Sequence, residues 1–148
     1  MVTLWHVFAV TTLLCSFVFI SVVAYWTLPR ATPFTFYTAD SPVLNENRTV
    51  EAGGQLKVLT DFTSNYNGKH VSVNRTLEDG VLITYPETSY TTEKGRQTFE
   101  RYFEIPEYLP TGRYRMRIVN YVKINPMKTV TVTRYTEYFT IVNNKDKE

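Results

Sequence analysis

The stretch Gly112-Arg113-Tyr114-Arg115-Met116-Arg117-Ile118 alternates arginine with large apolar residues. Successive side chains of an extended strand point to opposite faces, so Tyr114, Met116 and Ile118 belong to a core. Arg113, Arg115 and Arg117 then form an outward row. Lys123, Lys128 and Arg134 add three more basic residues within 108–136, a span with no Asp or Glu. Pairing 113–124 with 129–142 across Asn125-Pro126-Met127-Lys128 sets Arg115 beside Tyr138 and Tyr121 beside Val132 on the same outer face. The chemistry on offer is docking: these six basic residues, with Tyr121 and Tyr138, suit an acidic protein, anionic headgroups or a polyanionic glycan. The competing account is a solvated sheet face whose charge prevents edge pairing. Residues 87–107 are the electrical opposite, with five glutamates against Lys94, Arg96 and Arg101.

Catalytic chemistry has little to work with. Beyond His6 the only histidine is His70, and the only cysteine is Cys15, so neither a multi-histidine metal site nor a thiolate ligand is expected in the soluble part. Ser64 or Ser72, His70, and Asp61 or Asp79 would supply the residue types of a small hydrolase. No nucleophile elbow or oxyanion loop accompanies them. Glu100 and Glu104 share a strand face without a recognisable cleft. The expectation is therefore no enzyme, no cofactor, no metal and no small-molecule substrate. Ten of the eleven tyrosines follow Tyr25 in the chain or lie well beyond it, and exposed rings stack on sugars, so a carbohydrate-binding module is the alternative. The same rings are the ordinary filling of a small β core. A net charge of +2 gives no drive toward nucleic acid. Asn47-Arg48-Thr49 and Asn74-Arg75-Thr76 match the glycosylation triplet, which matters only in a eukaryotic lumenal domain.

The elements that must position these residues begin with an apolar segment. Residues 1–28 contain no Lys, Arg, Asp or Glu. As a helix, the stretch from Trp5 to Trp26 spans about 31 Å, close to the hydrocarbon thickness of a bilayer. Trp5, Tyr25 and Trp26 suit the two headgroup boundaries, and Arg30 is placed to reach phosphates. Val22-Val23-Ala24 offers a signal-peptidase site, but no basic stretch precedes the run and the run exceeds a signal core. The reading is a retained signal anchor at 1–28. A short linker follows at 29–33, where Pro29 and Pro33 stop the helix. The positive-inside rule alone would put Arg30, Arg48 and the domain in the cytoplasm, but it weakens for long translocated domains. The expectation is a cytoplasmic N-terminus with the domain periplasmic or extracellular.

From 34 to 142 short β-branched and aromatic runs alternate with turn signals, and no helical period is sustained. Strands are expected at 34–38, 55–62, 69–77, 81–85, 97–105, 113–124 and 129–142, with 143–148 a polar tail. Asn67-Gly68 and Asp79-Gly80 supply turns. Glu51-Ala52-Gly53-Gly54-Gln55-Leu56 and Leu109-Pro110-Thr111-Gly112-Arg113-Tyr114 carry a resemblance over most of 34–142. On them the chain resembles immunoglobulin-like and fibronectin-type-III-like domains of bacterial and bacteriophage envelope proteins. The paired cysteines and buried tryptophan of antibody domains are missing. The resemblance implies an all-β, seven-stranded immunoglobulin-like β-sandwich behind one transmembrane helix, with Tyr114 packed inward. Its expected role is structural: an accessory subunit of an envelope or virion membrane assembly that docks another membrane or envelope protein at the lipid bilayer.

Overall fold

The computed structural model describes residues 3–28, 32–78 and 83–147. Its one long helix, α1 (Leu4–Thr27), has no buried residue. With 24 residues it is about 36 Å long, and it is apolar enough to cross a bilayer. Its threonines do not spoil that surface. Thr11, Thr12 and Thr27 each donate the hydroxyl to the carbonyl four residues earlier, at 2.9 Å. Trp5 and Tyr25 stand exposed at opposite ends. Arg30 and the Asp79-Gly80 turn lie outside the described residues.

Among the described residues nine strands follow: β1 (Phe34–Phe36), β2 (Thr49–Glu51), β3 (Gln55–Ser64), β4 (His70–Glu78), β5 (Ile83–Thr91), β6 (Gly95–Glu104), β7 (Gly112–Asn125), β8 (Lys128–Tyr135) and β9 (Phe139–Val142). They form a three-stranded sheet, β1-β3-β6, and a six-stranded sheet ordered β2-β9-β7-β4-β5, with β8 also paired to β7. The expected count of seven rises for two reasons. The short β2 runs parallel to β9. The expected last strand also breaks at Thr136–Tyr138, where the loop before β2 cuts in. There Ser41 N donates to Tyr135 O at 2.8 Å, and Glu137 N donates to Ser41 O at 3.0 Å.

Strand alternation builds the interior. On β3, Leu56, Val58 and Phe62 point in; on β7, Tyr114, Met116, Val122 and Ile124 do. The core is two clusters. One centres on Leu56, Leu77, Met116 and Ile141, the other on Phe34, Phe62, Val73 and Val122. Only the half-buried Ile118 packs against both among the described residues. At the Pro110–Gly112 corner the Tyr114 hydroxyl donates to Pro110 O at 3.0 Å, which ties the entry of β7 to its own loop. Gly68, at φ +66°, makes the β3–β4 turn where Asn67-Gly68 predicts one.

Two features of the β7–β8 hairpin decide what lies around it. Asn125 pairs with Lys128, but the register shifts between Lys123 and Asn125, so that Tyr121 faces Thr131 and Ile118 faces Arg134. The expected Tyr121–Val132 pairing is therefore off by one, and such a slip turns every side chain of the partner strand to the other sheet face. The tip of this hairpin also meets the end of α1. Asn125 Nδ2 donates to Trp26 O at 3.1 Å, and Lys128 Nζ lies 3.4 and 3.2 Å from the carbonyls of Thr27 and Leu28. A helix leaves its last carbonyls without partners, and its C-terminus carries partial negative charge. The last turn of α1 has no basic residue, so the hairpin supplies both the donors and the cation.

Candidate functional site

The outer face of the six-stranded sheet holds the arginine row as the alternation predicts. Arg113 lies 4.3 Å over the Tyr138 ring, and Arg115 lies 4.1 Å over Tyr135 and 5.3 Å from Tyr138. Glu78, on β4, approaches Arg117 at 3.1 Å and Arg115 at 3.8 Å. Tyr121 and Lys123 continue the face, both exposed. The row is thus a guanidinium–tyrosine ladder. Each exposed stack contributes about 0.5–1 kcal/mol and each surface ion pair about 0–1 kcal/mol. These contacts add little to folding, but they hold four large side chains flat. Tyr135 and Glu78 were not singled out in the sequence, because their part depends on strand pairing.

Two members of the expected basic set lie elsewhere. Lys128 caps α1 instead of extending the row. Arg134 is 7% exposed and points into the sandwich. One of its guanidinium nitrogens reaches Thr38 O at 2.7 Å and Ala39 O at 3.4 Å, and the group sits 3.9 Å from the Phe36 ring. Burial lowers its pKa, opposed by the charge of Asp40. The register shift is the cause: Arg134 shares the inner face with Val130 and Val132, and Thr129, Thr131 and Thr133 take the outer one. The Val-x-Val-x-Arg spacing was the available signal.

A second basic pair occupies an open cleft of about 820 Å³ where the β5 edge of one sheet faces the β6 edge of the other. Arg75, on β4, is 4% exposed; its Nη1 donates to Thr88 Oγ1 at 2.8 Å, and its guanidinium lies 5.3 Å from the Phe103 ring. Its Nε is buried without a hydrogen-bond partner among the described residues. Burial, and then the charge of Arg101, lower its pKa to about 10. Arg101, on β6, stacks 4.6 Å from Phe99 and 5.8 Å from Tyr90. Tyr85 lines the same cleft and donates its hydroxyl to Glu104 O at 3.0 Å; burial pushes its pKa up to about 12. Sequence reasoning missed this site, although Val71-x-Val73-x-Arg75-x-Leu77 places an arginine on an apolar strand face.

Of the residues that could serve a hydrolase, Asp61 and Ser64 are engaged separately, and Asp79 lies outside the described residues. Asp61 accepts from Arg96 at 2.8 and 3.1 Å and from Thr98 at 2.9 Å, and the Arg96 bond holds its carboxyl below the usual range. Ser64 donates to Tyr66 O, and His70 is exposed at the start of β4. No group of three or more metal-ligating side chains occurs among the described residues.

No protein-family model matches the chain, and no curated protein matches it in sequence. Solved structures do resemble it. The C-terminal domain of Wzt superposes with a TM-score of 0.51 at 10% identity, over 82% of this chain and 84% of that one. The strand-rich domain that follows α1 is a β-sandwich. The alkylpurine DNA glycosylase AlkC of Pseudomonas fluorescens reaches a TM-score of 0.49 at 10% identity, over 75% of this chain and 31% of the glycosylase. A CARDB domain from Pyrococcus furiosus reaches 0.41 at 13% identity, over 76% of this chain and all of that domain. Only the likeness to the Wzt domain bears on fold, and it carries no activity with it.

Opposite fates of two arginines test the placement. Arg134→Met strands the carbonyls of Thr38 and Ala39 and is expected to cost about 2 kcal/mol of unfolding free energy. Arg113→Gln, on the surface, is expected to stay within about 0.5 kcal/mol of the parent. Urea unfolding of the detergent-solubilised full chain, followed by circular dichroism, measures both.

Proposed function

We propose that the chain is a single-pass, membrane-tethered interaction protein whose sandwich docks an acidic protein partner at the bilayer surface. The partner face is the outer side of the six-stranded sheet around Arg113, Arg115, Arg117, Tyr121, Lys123 and Tyr138. The observation that carries this reading is the stacking of Arg113 and Arg115 on Tyr135 and Tyr138. Arginine and tyrosine are favoured binding anchors. Stacked in advance, they lose less side-chain freedom when a partner arrives. The role fits an accessory subunit of a larger membrane or envelope assembly. We assign the sandwich to the immunoglobulin-like type, on the strand order β1-β3-β6 against β9-β7-β4-β5 and the Tyr114 corner. In our reading α1 is the membrane anchor, with its N-terminus inside and the sandwich outside.

Replacing Arg113, Arg115 and Arg117 together with serine is expected to lower co-purification of the partner from native membranes by at least tenfold, with the thermal transition retained. Undiminished co-purification removes this face from the account. Orientation is tested with a cysteine at Lys145 and Cys15→Ser: an impermeant maleimide should label intact cells. Labelling only after lysis reverses the topology.

A further inference from the structure

Among the described residues Arg75, Arg101 and Arg134 point into this sandwich, and they are not treated alike. Arg134 is answered by the carbonyls of Thr38 and Ala39 and by the nearby charge of Asp40. Arg75 is answered by one threonine hydroxyl and a phenylalanine ring. The charge that bears on it is that of Arg101, a second cation; Tyr90 is a neutral phenol whose pKa burial raises. A buried cation without a carboxylate is strongly unfavourable, and a buried donor without an acceptor adds to that cost. A fold has no physical need of such a group here, since methionine would fill the same space without either penalty.

The surroundings say what would relieve it. Arg75 and Arg101 both line the open cleft between β5 and β6. Among the described residues the carboxylates on that lining are Glu104 and Glu107, both solvent-exposed, and Glu107 is drawn to Lys145 at 3.7 Å. Thr88 and Phe103 hold the Arg75 guanidinium in place, and Tyr85, Pro86 and Phe103 form an apolar wall next to it. A guanidinium held in this way presents a planar fork of donors that matches an oxyanion.

We infer that the cleft is a binding site for an oxyanion, a carboxylate or phosphate on a small organic ligand, held by Arg75 and Arg101 with its carbon skeleton against Tyr85 and Phe103. The site lies between two facing sheet edges and does not use the arginine–tyrosine face, so either can fail without the other.

The test uses the full chain in an uncharged detergent, labelled with nitrogen-15, and follows the Arg75 Nε–H resonance together with the backbone amides of Thr88 and Phe103, which report in every variant, during titration. The probes are glucuronate, glucose 1-phosphate and glucose, which present a carboxylate, a phosphate or neither on the same ring. A saturable shift with either anionic sugar, and none with glucose, is the expected result, and the stronger anion identifies the group the site takes. Arg101→Gln should weaken that binding at least threefold. Arg75→Met should abolish it while leaving the melting temperature unchanged or higher. No saturable shift with either anion, or an equal shift with glucose, overturns the inference. So does a fall of more than about 5 °C on Arg75→Met, because the arginine would then serve the fold, given the shift expected for a domain of this size.

Discussion

The register shift between Lys123 and Asn125 is the constraint on which most of the arrangement depends. β7 is the strand that holds the larger sheet together: β4 lies on one side of it, and β8 and β9 take the other. One extra residue near the hairpin tip decides which side chains of β8 face the second sheet. Without it, Arg134 would join the outer basic row, and Thr133 and Tyr135 would turn toward the core. With it, the valines of β8 close one cluster, Tyr135 becomes a stacking platform for Arg115, and Arg134 anchors the loop at Thr38–Ala39.

The same hairpin joins the two parts of the molecule. An apolar helix ending without a basic residue needs its terminal carbonyls satisfied from outside, and Asn125 and Lys128 do this. Trp26 and Leu28 then line a small crevice with Tyr66, Ile124 and Val130. The sandwich is seated on the helix end by polar caps around an apolar contact. With α1 as the proposed membrane anchor and an indole at the headgroup boundary, the hairpin tip would sit at the membrane surface.

Much of this was legible in the sequence. The apolar segment, the Asn67-Gly68 turn, most strand positions and the outward arginine row all follow from composition and a period of two. What was not legible depends on tertiary pairing. Lys128 was read as surface because its partner is the helix end about a hundred residues earlier, and Arg134 because its face was assigned from the hairpin register instead of from its own Val130-x-Val132-x-Arg134 spacing. The last strand reads as continuous because the interruption comes from Ser41, almost a hundred residues earlier. Arg75 is the intermediate case. Its apolar strand face is visible in Val71, Val73 and Leu77, but the cleft that makes it interesting exists only once β5 and β6 face each other.

The claim at the centre of the account is that α1 and the β7–β8 tip together hold the sandwich against a bilayer. It is tested most directly by the depth of a fluorophore in proteoliposomes. The fluorophore is attached to a cysteine at Met127, with Cys15→Ser, and compared with one at the exposed Tyr108, beyond the far end of β7. A strand of that length separates the two ends by about 45 Å. Nitroxide lipids labelled at the headgroup should quench the Met127 probe strongly and the Tyr108 probe hardly at all. Equal, weak quenching at both positions would contradict the account.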